Sequence, residues 1–583
     1  MSNKAELVLI NGKFYSVDIE GQVRRFQAVA IKDGVFAYVG DNQGVEEHID
    51  SNTVSVDLEN KMVLPGLSDS HVHASFSAVS RFSANLNNLA YTEPQARPGL
   101  LEKYKDIIKE YMLNNPNEKI IRGAGFDGNP FLMDPGGFPD RHDLDQVCRD
   151  KPVVLRSFCY HYAWANTKAL ELAGITKDTA DPGTGTIYRD KGGDPTGFFQ
   201  EMPAIDRLLK HLPGYDFSVE QYKDALRYYQ KNLANKYGIT LIFDALATDN
   251  AVHAYREMAE DGELTLRVRG CYYADPEKGL DQFDQLEKPA TDYSASKRFA
   301  IKTVKFFMDG TGMSICMTEP YEQIALEFYQ LPLDYCGDVI WPPELLKKAL
   351  VLLTKKGFQI HIHAMGDGAV TQTLDAYEYL AGQMEGKSLR NVIAHVMAIT
   401  EQDKQRMADL GVIAAMQPSW MCVDPLYTYG YALGFGEKRA DRFYPMKSLL
   451  EAGVRVTAGT DYPVTIPPNP FHSIQVGMTR KILKSNPEYE NYKDALLGPA
   501  ENREQECLSL KEMVESLTIA SAFQSYLETV TGSIEKGKSA DLVILTQDLE
   551  TAEVMDIENT RVEMLYLEGK LIFRDDHTDP DQQ

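Results

Sequence analysis

FQIHIH at Phe358–His363, VIAH at Val392–His395 and VIAAM at Val412–Met416 are short apolar runs, separated by Asp367–Gly382 and Thr400–Leu410, whose apolar residues recur at helical spacing. The runs read as strands and the spacers as amphipathic helices. The alternation continues with a helix over Tyr444–Ala452 and a strand over Val454–Ala458. Repeated β-then-α units imply a parallel sheet, and at this length they predict an α/β fold built on a closed (β/α)8 TIM-type barrel.

The chain ends read differently. Glu6–Asn11, Gly12–Val17, Phe26–Lys32 and Gly34–Val39 are β-branched or aromatic runs broken by Asn-Gly, Asp-Gly and Gly-Asp turns. Ala540–Thr546 and Arg561–Arg574 behave alike, with Glu568-Gly569 as a turn. Residues 1–63 plus 530–583 are therefore expected to form one composite β-sandwich domain, and 64–529 the barrel. The stretch from about Ala84 to Gly214 is rich in Pro, Gly and Asp, fits the alternation poorly, and is expected to be an α/β insertion. The polar tail after Asp575 is expected to fray.

Of 583 residues, 43% are apolar and 25% charged, as in a soluble globular protein. The net charge of −25 argues against a nucleic acid or an anionic membrane as general partner. No apolar run is long enough to span a bilayer, and the N-terminus lacks the basic-then-apolar pattern of a signal peptide. The seven cysteines are scattered, odd in number and form no C-x-x-C, so they read as reduced thiols in a cytoplasmic protein.

Histidines are scarce, 12 in all, yet His71 and His73, His361 and His363, and His395 all sit at C-terminal ends of predicted strands. In a barrel that end carries the chemistry. His71 and His73, in LPGLSDSHVH at Leu64–His73, stand at i and i+2 and so project from one face of a strand. Neutral imidazole is a common ligand for zinc and its neighbours. Asp461, in Gly459-Thr460-Asp461, also follows a strand. An N-cap is the alternative reading, but Tyr462-Pro463 comes next and no helix starts at once, so a carboxylate facing a metal is expected. In Ile301–Gly310 (IKTVKFFMDG), alternation places Lys305 on the face opposite Lys302 and Phe306, so that one lysine can point inward.

Nine segments in order resemble the amidohydrolase superfamily, in particular its YtcJ-like branch, which includes N-substituted formamide deformylases. They are PGLSDSHVH at 65–73, HYAWANTKALELAGI at 161–175, PTGFFQE at 195–201, VKFFMDG at 304–310, HIHAMGDGAV at 361–370, IAHVMAIT at 393–400, AAMQPS at 414–419, YPMKSLLEAGVRVTAGTDYPV at 444–464 and TGSIEKGKSADLVIL at 531–545. The resemblance implies one or two divalent metal ions: zinc by default, with manganese, iron or cobalt also suited to the ligands. His71 and His73 would hold the more buried ion, and His363 and His395 the second. Lys305 would be carboxylated to bridge them, and Asp461 would be both ligand and proton shuttle. His361 is expected beside the ligands or facing the substrate, with a satisfied core histidine the equal alternative, and Asp69 is expected to be structural or to support a ligand. His161, Trp164 and Asn166 are expected to pack within the insertion, and Glu201 and Trp420 are candidate pocket residues. A homodimer is what the resemblance implies for assembly.

The expected reaction is hydrolysis of a C–N bond in a small amide or N-formyl-type substrate. Asp461 would move the proton, and His395 or His361 would stabilise the oxyanion. The alternatives are a metal hydrolase of a cyclic amide, a deaminase or ester substrate, and a barrel that only binds a regulatory ligand. The sequence departs from the branch at Ala394, Val396-Met397, Ser419-Trp420 and Thr311, positions that bear on substrate rather than on metal.

Overall fold

The computed structural model of the chain describes residues 4–87, 97–127, 139–286, 289, 298–384 and 390–575. The tail beyond Asp575 lies outside them.

Eight parallel strands form one sheet: β1 (Leu67–Val72), β2 (Ile239–Asp244), β3 (Arg267–Tyr273), β4 (Phe299–Phe307), β5 (Gln359–Ala364), β6 (Val392–His395), β7 (Ile413–Met416) and β8 (Val456–Ala458). Each pairs in register with the next. The sheet closes just beyond the strands, where Asp461 N donates to His71 O at 2.8 Å and His73 N donates to Tyr462 O at 2.7 Å. Gly459 makes this seam possible, since a Cβ there would fall 2.6 Å from His71 N and 2.9 Å from His71 O. Gly459→Ala should therefore destabilise the fold by about 1–3 kcal/mol. Thermal unfolding checks this, and an unchanged midpoint would count against so tight a seam.

Strand alternation sorts the side chains. On β4 and β5, Val304, Phe306, Ile360 and Ile362 join the core formed with Leu346, Leu350 and Leu353 of the helix Pro343–Lys356. Lys305, His361 and His363 have the opposite parity. Lys302 instead lies 3.9 Å from the centroid of the Tyr526 ring. Helices start where the caps dictate: Thr400 accepts from Asp403 N ahead of Glu401–Asp409. The helix expected from Tyr444 begins only at Met446, because Pro445 drives the residue before it out of the α region and Tyr444 sits at φ 56°.

Both chain ends build the second layer system. A six-stranded sheet orders Lys570–Arg574, Val562–Leu567, Leu542–Leu545, Met62–Pro65, Lys13–Val17 and Val23–Phe26, so that strands from the two termini are neighbours. A four-stranded sheet of Val35–Gly40, Ala28–Lys32, Leu7–Ile10 and Val54–Asp57 shares its core through Leu9, Val29, Ile31, Leu542 and Ile544. Between β1 and β2, a six-stranded mixed sheet runs from Ala84–Asn85 to Pro195–Gln200, flanked by helices such as Thr167–Ala173 and Met202–Leu209. Among the described residues no helix is long and apolar enough to cross a membrane.

Candidate active site

The ends of β1, β4, β5 and β6 and the segment after β8 deliver their polar side chains to one place. One ligand atom each from His71, His395 and Asp461 lie within 4.8 Å of one another. Asp461 Oδ1 is 3.1 Å from His73 Nε2 and 3.4 Å from His71 Nε2. Neither contact has good hydrogen-bond geometry, so this buried oxygen is held only by close approaches among the described residues. Lys305 is fully buried, its Nζ 3.4 Å from His71 Nε2. His363 is next to His395, ring centroids 4.5 Å apart, and its Nε2 has no hydrogen-bond partner among the described residues.

A ring of supporting groups fixes these side chains. His395 Nδ1 bonds to Gln417 Oε1 at 2.8 Å, which places the hydrogen on Nδ1 and leaves the Nε2 lone pair free. His71 Nδ1 bonds to His361 Nε2 at 2.9 Å. His361 itself stands behind His71, fully buried. It therefore stands where it can orient His71, and it is not part of the cavity lining. Asp69 accepts from Thr460 N at 2.9 Å and His71 N at 3.3 Å, tying the last strand to the first. Asp309 accepts from the backbone N–H groups of Cys316, Met365 and Gly366. Trp420 stacks on His395 at 5.7 Å and anchors its own Nε1 on Thr465 Oγ1.

Burial sets the electrostatics. It holds His71, His361 and His363 well below the usual imidazole value, helped by Lys305 and the neighbouring rings, and takes His395 down to about 4. These rings are neutral, the form a metal requires. Burial also draws Lys305 down to about 8 and pushes Asp69 up to about 7 and Asp309 up to about 8. At Asp461 burial works against the charge, but His73, His395 and Lys305 outweigh it and hold the carboxyl below its usual range.

A cavity of about 1250 Å³ contains His71, His73, Lys305, His363, His395 and Asp461 in its wall and extends outward between aromatic side chains. Tyr160, Tyr162, Tyr427 and Tyr429 line it. In the insertion, Trp164 and Asn166 do pack as expected. Trp164 Nε1 donates to Asp140 O, and Asn166 caps Thr167–Ala173 while bonding Cys148 O and Val153 N. His161 does not follow them: it lines the cavity, its ring 5.3 Å from that of His363, with Glu201 Oε2 at 2.6 Å from its Nδ1. Gln417, Asp309 and the His161–Glu201 pairing escaped the sequence reading. The nearest signal for the pairing was the recurrence of its two residues in the HYAW and PTGFFQE segments.

Comparison with known proteins places this geometry. The model of the amidohydrolase family matches residues 55–573. The N-substituted formamide deformylase of Arthrobacter pascens is 26% identical over 584 residues, covering 98% of this chain and 99% of that protein. The putative amidohydrolase YtcJ of Bacillus subtilis strain 168 is 26% identical over 568 residues, 96% of this chain and 98% of that protein. An uncharacterized metal-dependent hydrolase from Pyrococcus horikoshii OT3 shares the fold, with a TM-score of 0.68 at 24% identity over 94% of this chain and 99% of that one. With this barrel, these strand-end histidines and a match spanning most of its length, the chain belongs to the amidohydrolase family.

Proposed function

We propose that this protein is a metal-dependent amidohydrolase that cleaves the C–N bond of an amide or N-formyl amine. One observation carries the reading: neutral imidazoles and a carboxylate converge at the C-terminal mouth of the barrel, with Asp461 Oδ1 and His363 Nε2 buried and lacking a well-formed hydrogen bond among the described residues. Buried polar atoms without partners are costly, and a divalent cation would satisfy both. The residues that would hold it are His71, His73, His363, His395 and Asp461, with zinc the default and manganese, iron or cobalt alternatives. Lys305 would serve as an N6-carboxylysine, since among the described residues no carboxylate lies within ion-pair distance of this buried ammonium beside His71, and a carbamate removes its charge while supplying two oxygens. A bound divalent ion supplies Lewis acidity toward a carbonyl oxygen and toward water.

The chain's own groups do the rest. Asp461 accepts the proton of the attacking water and returns it to the departing amine nitrogen. His395, held by Gln417 and stacked on Trp420, lines the wall where the oxyanion develops. The aromatic lining suits an apolar or aromatic group on the substrate nitrogen, in keeping with the name of the Arthrobacter relative.

The test is a panel of N-formyl amines, linear amides, cyclic amides, aminated heterocycles and esters, each assayed before and after chelation. Formyl or simple amides should be turned over best, and chelator should remove at least about 99% of the rate, because water activation is lost with the ion. Turnover that survives complete metal removal, or activity confined to esters, would refute the reading.

A further inference from the structure

Glu201 is a buried carboxylate with a strained backbone, at φ 66° and 1% exposed. Three donors converge on it: Ser314 Oγ and Thr311 N on Oε1, and His161 Nδ1 on Oε2. Gly310 packs against the carboxylate, for a Cβ there would fall 2.1 Å from Glu201 Cδ, so the side chain has no room to turn. Tyr160, which precedes the histidine, is likewise left-handed at φ 65°. Non-glycine residues adopt such conformations at a cost, and they concentrate where a side chain must be aimed.

What is aimed is the His161 ring. A carboxylate whose oxygens serve as acceptors requires the hydrogen on Nδ1. With that as the only hydrogen on the ring, Nε2 is an acceptor, and it has no protein partner among the described residues. Packing residues of the same segment behave otherwise: the Trp164 and Asn166 side chains are satisfied by the backbone. The ring lines the cavity beside His363, which in turn lies beside His395. The insertion thus delivers one fixed lone pair to the same cavity as Asp461.

We propose that His161 Nε2 accepts a hydrogen bond from the substrate N–H, with Glu201 as the positioning residue that sets its tautomer. This rests on the reading above that an amide enters the cavity. It makes the enzyme selective for substrates that carry a hydrogen on the scissile nitrogen. An ester places an oxygen lone pair against the Nε2 lone pair, and an N,N-disubstituted amide has no hydrogen to give. Holding the N–H on the insertion side also fixes the direction in which the nitrogen lone pair points when it receives its proton.

The probes are N-benzylformamide and benzyl formate, matched in shape and differing in N–H against O. In an Asp461→Asn background, which suppresses turnover, calorimetry on the full-length metal-loaded protein should give about tenfold tighter binding of the formamide, the size of one buried hydrogen bond. His161→Ala should bring the ratio to about one. His161→Gln, whose carbonyl can accept, should recover part of it. Glu201→Gln can donate to Nδ1 and turn Nε2 into a donor, so it should remove or reverse the preference, with ester affinity unchanged or higher. A merely structural role would weaken both probes together. Equal binding of the two probes, binding of neither, or a tenfold ratio that survives His161→Ala would overturn the proposal. Turnover of N-benzylformamide by the wild-type protein is read separately, so failure of the proposed function and failure of this inference are distinguishable.

Discussion

Asp461→Asn is expected to lower kcat by about a thousandfold while the protein keeps its metal and its fold, since a positioned proton-transfer group contributes roughly 10²–10⁴. Asparagine preserves the shape, and its carbonyl oxygen can occupy the position of Oδ1. The backbone N–H that donates to His71 O is untouched, so the barrel seam stays closed. What is lost is the ability to accept a proton and return it. The carboxyl is suited to that task because His73, His395 and Lys305 overcome the cost of its burial and keep it charged. Elemental analysis and steady-state kinetics on the same preparation check the prediction. Near wild-type kcat would remove Asp461 from proton transfer, and loss of metal together with rate would reduce it to a ligand.

His71→Ala combined with His73→Ala is expected to weaken metal binding by more than about a hundredfold. Loss of supporting groups alone costs tens of fold, and these two are the ligands themselves. His71 is the hub of the cluster, in contact with His361, Lys305 and Asp461. Its removal therefore also frees Lys305 and takes the partner from His361. Metal titration followed by elemental analysis is the measurement, with circular dichroism to confirm that the barrel persists. Full occupancy in the double variant would refute the assignment of both residues as ligands.

How much of this was legible in the sequence follows from the physics of each element. The later barrel strands were readable because strands buried on both faces are short continuous apolar runs, and Val392–His395 stands as read, whereas Arg267–Tyr273, interrupted by two arginines, was not read. Val23–Phe26 and Val54–Asp57 were missed. They are edge strands, and Arg24-Arg25 or Ser55 make them look like loops. The site histidines stood out because polar residues at the ends of apolar strands are expensive without a task. Gln417 and Asp309 carry no such mark, because a carboxylate or amide in a loop looks like a cap until its partners are placed. His161 was read as packing because Trp164 and Asn166 beside it are packing, and only the pairing with a residue 40 positions away separates it from them.

The seam where Asp461 N meets His71 O joins residues 390 positions apart, and the same two residues belong to the candidate metal group. On the ribosome the first half of the centre exists long before the second. A nascent chain that ends short of residue 461 has histidines but no carboxylate opposite them and no closed sheet to hold them. Loop closure over such a span is slow and comes late. On the proposed assignment of the centre, activity is expected only from a chain that extends past residue 461.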